Sequence, residues 1–235
     1  MNTTLVVAFL RQRFTSPMRV GLLLLVTVFP LGAVAIIGQF SILSGIAAPV
    51  ALILAAGAIG QEVSSGTLQL LLARPVTRPS YLLSRWCGAS VGAFGITMVV
   101  HAMAVLVLLL RGTPPAPLEV LRQLLDAGCA IGGHAAVLIM LSTLAGGLGD
   151  LGLYVATFFV NQMLSGLASF KNWDWLQRLT NEVQGVLGPQ LSWAWLTHGG
   201  APSWFAIVSW ASTVALALAV GIARLNRREL SYGAD

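Results

Sequence analysis

Six long apolar segments, each close to the length of one membrane crossing, constrain the fold of this chain more than any other feature. They fall at 18–38, 42–60, 86–110, 124–148, 151–169 and 203–223. Because the hydrocarbon core of a bilayer requires about 20 apolar residues of helix, each segment can cross it once. Only 9% of the residues are charged, whereas a soluble domain carries about a quarter. The sequence therefore predicts an all-α integral membrane protein with six transmembrane helices in contact with the lipid bilayer, forming a single domain over residues 1–235.

The thirteen Lys and Arg residues are distributed unevenly between the two ends of these spans. One side carries Arg11, Arg13, Arg19, Arg74, Arg78, Arg85, Arg224, Arg227 and Arg228. The other side carries Arg111, Arg122, Lys171 and Arg178. Since short cytoplasmic loops retain positive charge, both termini, including the tail at 224–235, are predicted to be cytoplasmic in a multi-pass protein of the inner membrane. The net charge of +5 then faces an anionic leaflet and gives no reason to expect a nucleic-acid partner.

Two segments outside the spans have helical patterns of their own. In residues 1–17, apolar side chains recur at helical spacing, which predicts an interfacial helix at the inner face; the alternative is a frayed amino-terminal turn. Residues 170–202, between the fifth and sixth spans, contain a capping box, an apolar stripe and a Gly-Pro stop. This pattern predicts short outer helices, the clearest of them amphipathic and lying at the outer interface among tryptophan anchors.

The loop at 61–85, between the second and third spans, is the most informative part of the chain. Ser64, Ser65 and Gly66 interrupt the second span, and a new short helix can begin at Thr67. That helix ends at Arg74, because the residue before a proline is disfavoured in helical conformation. The pattern predicts a short helix lying across the inner end of the bundle. From these residues alone, an ordinary cytoplasmic connector with positive-inside arginines is an equally good interpretation.

The sequence motif of this loop resembles that of a known family. Residues 62–82 read E-x-x-S-G-T-L-x-L-L-L-A-R-P-V-x-R-x-x-Y-L, which resembles the signature of permease subunits of ABC transporters of the type-2 exporter class. The resemblance extends over essentially the whole chain, since the amino-terminal helix, the six spans, the outer helices and the Arg-rich tail are similar to that family's plan. It implies a non-catalytic permease that moves a substrate, with export favoured.

The resemblance also implies partners for this chain. In that family the loop between spans two and three is a coupling helix that docks into a separate ATP-binding ATPase subunit, and two permeases pair, here most simply as a homodimer. The residues that would make or shape the docking contact are Glu62, Ser65, Gly66, Thr67, Leu68, Arg74, Pro75 and Arg78. The chain contains no G-x-x-x-x-G-K-[ST] phosphate loop, so ATP and Mg are expected in the partner subunit, and no cofactor is expected here.

Four polar side chains fall inside the apolar segments. His101 and His134 are predicted at nearly the same depth and could face one another, while Asn161 and Gln162 lie near the middle of the fifth span. Intramembrane polar groups are costly enough to need partners, so this band is either a polar substrate path or a set of interhelical hydrogen bonds. The second interpretation is favoured.

The same histidines support the alternatives to an ABC permease. An intramembrane enzyme or an ion-coupled secondary transporter could be built on His101 and His134. However, the sequence places no nucleophile, acid pair or metal set at their depth, and no third ligand for a zinc site. Asp150, which follows two glycines in a tight inner turn, is expected to cap the fifth span.

Overall fold

The computed structural model describes residues 3–67 and 77–227, and within these two ranges it contains helices and no strands. Six helical segments in those ranges are long and apolar enough to cross a membrane, which confirms the predicted fold class. They are Pro17–Ile37, Phe40–Ser64, Arg78–Leu110, Pro117–Leu144, Gly149–Lys171 and Trp204–Arg227. We call them spans 1 to 6, and we call the end of the bundle beside residues 61–67 the inner end.

Span 4 lies at the centre of the bundle and packs against spans 2, 3, 5 and 6. Small side chains allow this, because the fully or nearly fully buried stretch from 130 to 136 contains Ala and Gly at five of its seven positions. Small residues let helix backbones approach closely where no hydrophobic effect drives helices together. Spans 3 and 4 begin at Arg78 and Pro117, several residues before their predicted starts, since both helices continue past the apolar core.

The amino-terminal segment is a helix at Thr3–Phe14. This agrees with the predicted interfacial helix and not with the alternative of a frayed turn. It packs against span 3, where glycine makes room for it. A Cβ atom on Gly88 would lie 2.7 Å from the ring of Phe9, and one on Gly92 would lie 2.6 Å from the side chain of Leu10. Its position at a membrane interface remains a prediction from the sequence.

Span 2 is interrupted, contrary to the single continuous segment expected at 42–60. It starts as a 3₁₀ helix at Phe40–Gly45, continues as an α-helix at Ala47–Ala55, and resumes as an α-helix at Gly60–Ser64. The four residues between the two α-helices form a turn in which Gly57 has a φ of +64°. Hydropathy could not reveal this break, because every residue of the turn is apolar or glycine and is buried.

The amphipathic outer helix forms at Asp174–Leu187, but the structure does not leave it on the outer surface. It folds back along span 5, and its end reaches the middle of span 4. There a Cβ on Gly188 would lie 2.9 Å from Nε2 of His134, and a Cβ on Gly133 would overlap the carbonyl oxygen of Pro189. We call Asp174–Leu187 the re-entrant helix. The chain then returns outward to a short helix at Trp195–His198.

Candidate functional site: the anchorage of the inner loop

Glu62, expected to contribute to the docking contact, is directed into the bundle. Its side chain is 8% exposed, and its two carboxylate oxygens accept hydrogen bonds from the guanidinium of Arg85 and the hydroxyl of Tyr81. Both partners belong to the first turns of span 3. A buried carboxylate is tolerated only when it is paired and hydrogen-bonded, and this one is both. The end of span 2 is therefore fastened to the start of span 3.

The amino-terminal helix joins the same group of side chains. The guanidinium carbons of Arg13 and Arg85 lie 4.7 and 5.1 Å from the centroid of the Phe9 ring, within cation–π range. We call Phe9, Arg13, Glu62, Tyr81 and Arg85 the inner ionic cluster. It connects the amino-terminal helix, the end of span 2 and the start of span 3 in one buried contact.

Arg13 is the member of the inner ionic cluster whose buried charge is least compensated by hydrogen bonds. It is 2% exposed, and its Nε and Nη1 atoms have no hydrogen-bond partner among the described residues. Burial, followed by the charges of Arg19 and Arg85, lowers the pKa of Arg13 to about 9, which still leaves its guanidinium charged at neutral pH. The cluster thus holds two buried cations against one carboxylate.

The break in span 2 is held by the end of span 4, the start of span 5 and the turn between them. The backbone N–H of Gly57 donates to the Asp150 carboxylate at 2.7 Å, and the Ser142 hydroxyl accepts from the N–H groups of Ile59 at 3.0 Å and Gly60 at 2.8 Å. The N–H of Gly147 donates to the carbonyl of Gly60 at 2.8 Å. Irregular backbone at membrane depth persists only when its polar groups are satisfied by the protein, and these contacts satisfy them.

Two of these residues show why the break was missed. Asp150 was expected to cap span 5, but only one of its oxygens bonds locally, accepting from the N–H of Leu151 at 2.8 Å, while the other bonds to Gly57. The helix begins at Gly149, with Leu148 at its cap position. Ser142 and its neighbour Thr143 are hydroxyl residues near the end of an otherwise apolar stretch of helix, and hydroxyls at such positions commonly have no comparable role.

The exposed part of the loop begins directly after the inner ionic cluster. Ser65, Gly66 and Thr67 are all exposed, and the hydroxyls of Ser65 and Thr67 are hydrogen-bonded at 2.6 Å. Gly66 has a φ of +72°, a conformation that favours glycine and turns the chain out of the span. Three of the predicted docking residues, Leu68, Arg74 and Pro75, and with them the predicted short helix after Thr67, lie outside the described residues.

The far side of the loop is anchored by Arg78. Its guanidinium donates to the carbonyl oxygens of Leu225 at 3.0 Å and Asn226 at 2.7 Å. These carbonyls belong to the last turn of span 6, where helices leave acceptors unpaired and favour a cation. Both ends of the predicted docking loop are therefore bonded into the bundle, one to span 3 and the other to span 6.

The polar side chains inside the spans occupy separate places. His101 and His134 each donate a hydrogen bond from Nδ1 to a carbonyl of their own helix, that of Thr97 at 2.9 Å and that of Ala130 at 2.7 Å. The ring of His101 contacts Phe40, whereas that of His134 lies near Tyr154. Within residues 3–67 and 77–227, no hydrogen bond or ring contact joins the two histidines.

Asn161 and Gln162 face the re-entrant helix. The Asn161 amide donates to the Thr180 carbonyl at 3.1 Å and to Gln184 at 3.2 Å, and the Gln162 amide donates to Gln184 at 3.3 Å. These are interhelical hydrogen bonds. The helix that receives them was predicted, but its position against span 5 was not, so the sequence could not supply the partners.

The structure also bears on metal binding. No group of three or more His, Cys, Asp or Glu side chains in the described ranges is arranged to hold a metal ion. The polar groups of the inner end make contacts between helices.

Comparison with models of known protein families gives a match over most of the chain. A family model described as "ABC-2 family transporter protein" matches residues 12–230, which is nearly the whole chain and includes the inner loop. Comparison with curated proteins found no match.

Proposed function

Because the chain belongs to the ABC-2 family of transporter proteins and is a permease of that type, we propose that it exports a substrate across the cytoplasmic membrane with energy supplied by a separate ATPase subunit. That subunit would bind ATP and Mg, and this chain would contribute the membrane path. Both termini and the inner loop would lie in the cytoplasm, as the distribution of arginines predicts.

The observation that carries this proposal is the attachment of the inner loop. Its exposed residues, Ser65 to Thr67, are available to a partner, while its flanks at Glu62 and Arg78 are bonded to spans 3 and 6. A displacement of the loop by an ATPase would move helix ends directly, because buried ion pairs and helix-end hydrogen bonds resist local bending. In this arrangement Glu62 and Arg78 shape the docking surface, and the exposed residues make the contact.

The break in span 2 is the place where we expect a displacement of the inner loop to bend the bundle. The turn at 56–59 is held by hydrogen bonds to Ser142 and Asp150, which belong to other helices, so a shift of the inner half of span 2 pulls on the turn between spans 4 and 5. Conformational switches commonly use a few element-terminal residues as the hinge between rigid parts. We assign this role to residues 56–59.

A second copy of the permease completes the proposed transporter. In one copy, only 11%, 17% and 22% of an apolar 18-residue stretch of spans 1, 5 and 6 is buried, so these spans are open to lipid or to a second chain. Two identical chains around a two-fold axis are the simplest assembly that would enclose a path along them.

The test is purification of the protein in mild detergent from native membranes. A stoichiometric ATP-binding subunit should co-purify with it. Ser65→Trp, at the exposed loop, should reduce recovery of that subunit or uncouple its ATPase activity without lowering the melting temperature, whereas Glu62→Ala should lower both. Arg74→Ala examines the part of the loop outside the described residues, and Lys171→Ala, an exposed cation at the opposite end, serves as the control. A protein that purifies alone, with no ATPase activity in any preparation, would contradict the proposal.

A further inference from the structure

The re-entrant helix has one buried face and one polar face that no residue within 3–67 or 77–227 covers. Leu176 and Thr180 are buried on the face that packs against span 5. Arg178, Asn181 and Glu182, which share the opposite face at helical spacing, are exposed. Among the residues that the structure describes, neither Arg178 nor Glu182 has an ion pair or a side-chain hydrogen bond.

Helix geometry and the length of span 5 predict that this polar face lies deep in the membrane. Asn161 bonds to both Thr180 and Gln184, so Glu182 lies at its level. Asn161 precedes Lys171, the outer end of span 5, by ten residues, which corresponds to about 15 Å along a helix. The hydrocarbon core is about 30 Å thick, so Glu182 lies near its middle and Arg178 one turn closer to the outer surface.

A charged face at this depth requires a partner. Ionised side chains inside a bilayer are costly, and in membrane proteins they face the protein interior or water, or pair with each other. The flanking side chains do not fit a wet surface, because Trp175, Leu179 and Val186 are 64%, 51% and 57% exposed beside the charges. Exposed aromatic and large apolar side chains are typical of the centre of a protein contact, where charged side chains are depleted, so the two charges need opposite charges from the partner there.

We propose that this face of the re-entrant helix binds the same face of a second copy, with Arg178 of each chain paired to Glu182 of the other. The inference rests on the proposed function, which requires two permeases. A face that carries opposite charges one turn apart is complementary to itself, as a two-fold interface demands. When the axis is normal to the membrane the two helices run parallel, and charges offset by about one turn then pair diagonally, as they do between the helices of parallel coiled coils. Gly185, with no atom within 4 Å of a Cβ placed on it, leaves room for close approach on the same face.

Charge reversal tests the pairing. Arg178→Glu and Glu182→Arg should each weaken the dimer at least about tenfold, because each places like charges together in a desolvated contact. The double variant restores opposite charges and should return the dimer to near its original affinity. The readout is the monomer–dimer equilibrium in lipid nanodiscs, followed by single-molecule subunit counting as the protein is diluted. Lys171→Glu, a reversal at the outer surface, should leave the equilibrium unchanged.

Cysteine cross-linking gives a second, independent readout. In a background with Cys87→Ala and Cys129→Ala, Asn181→Cys should form a disulfide between two copies in native membranes under mild oxidation. Met103→Cys, on the exposed side of span 3, should not. Disulfide formation requires Cα atoms within about 7 Å, so it reports direct contact of the two helices.

The outcomes separate this inference from the proposed function. A dimer that is insensitive to both single reversals, or that the double variant fails to restore, would overturn the pairing. Efficient labelling of Asn181→Cys by a membrane-impermeant maleimide, without cross-linking, would show that the face borders water and would also overturn it. In each case co-purification of the ATP-binding subunit with the same preparations shows whether the proposed function still holds.

Discussion

Replacement of Ser142 by Ala would test whether the break in span 2 is held by span 4. The Ser142 hydroxyl accepts hydrogen bonds from the backbone N–H groups of Ile59 and Gly60, and all three residues are buried. Without it, two buried donors lose their partner. Each unsatisfied buried donor costs about 1–3 kcal/mol, and the two share one acceptor, so we expect a loss of about 2–4 kcal/mol. At about 2–4 °C per kcal/mol for a chain of this length, the melting temperature should fall by roughly 4–16 °C.

The adjacent residue supplies a matched control. Thr143 is equally buried, but its hydroxyl donates at 2.7 Å to the Met140 carbonyl of its own helix, so no backbone donor depends on it. Thr143→Val should therefore cost less than about 1 kcal/mol. Both variants are compared by thermal melting in the same detergent. If Ser142→Ala were no more destabilising than Thr143→Val, the hydrogen bonds to the break would not be what stabilises it.

Three further substitutions have expected outcomes. Glu62→Gln leaves a buried guanidinium without its carboxylate and should cost about 3–5 kcal/mol in thermal or denaturant unfolding; an unchanged midpoint would show that the carboxylate is not buried. Gly88→Ala forces a Cβ to within 2.7 Å of a ring of the amino-terminal helix, so that helix should become more accessible to protease, whereas Gly95→Ala, on the same span with nothing within 4 Å, should not change protection. Arg78→Ala removes the cation from the last turn of span 6, and the amides there should exchange hydrogen faster, with about 0.3–1 kcal/mol lost; unaltered exchange would contradict the anchoring role.

The architecture of the inner end predicts which variants affect both stability and coupling and which affect coupling alone. Residues of the inner ionic cluster should affect stability and coupling together, because they are buried and join three elements. The exposed loop residues should affect coupling alone. A variant such as Ser65→Trp that lowers the melting temperature as much as Glu62→Ala would contradict this division.

The sequence by itself determined the parts of the fold that depend on local composition. Apolar runs of about 20 residues specify spans, and the number and order of the spans follow from the chain alone. The amino-terminal helix and the helix at Asp174–Leu187 were predictable for the same reason, since helical periodicity is a property of neighbouring residues. The position of the inner loop between spans 2 and 3, and its resemblance to a family, likewise required no tertiary information.

Only the tertiary structure decided how these elements are joined. The same amphipathic pattern suits a helix on the outer surface and one folded back against span 5, and the choice depends on hydrogen bonds from Asn161 and on space at Gly133. The break at Gly57 is stabilised by Asp150, 93 residues away. Equal predicted depth did not bring His101 and His134 together, because the rotation of each helix is set by packing. Contacts between residues distant in sequence leave no periodic signal, so the packed bundle alone determines them.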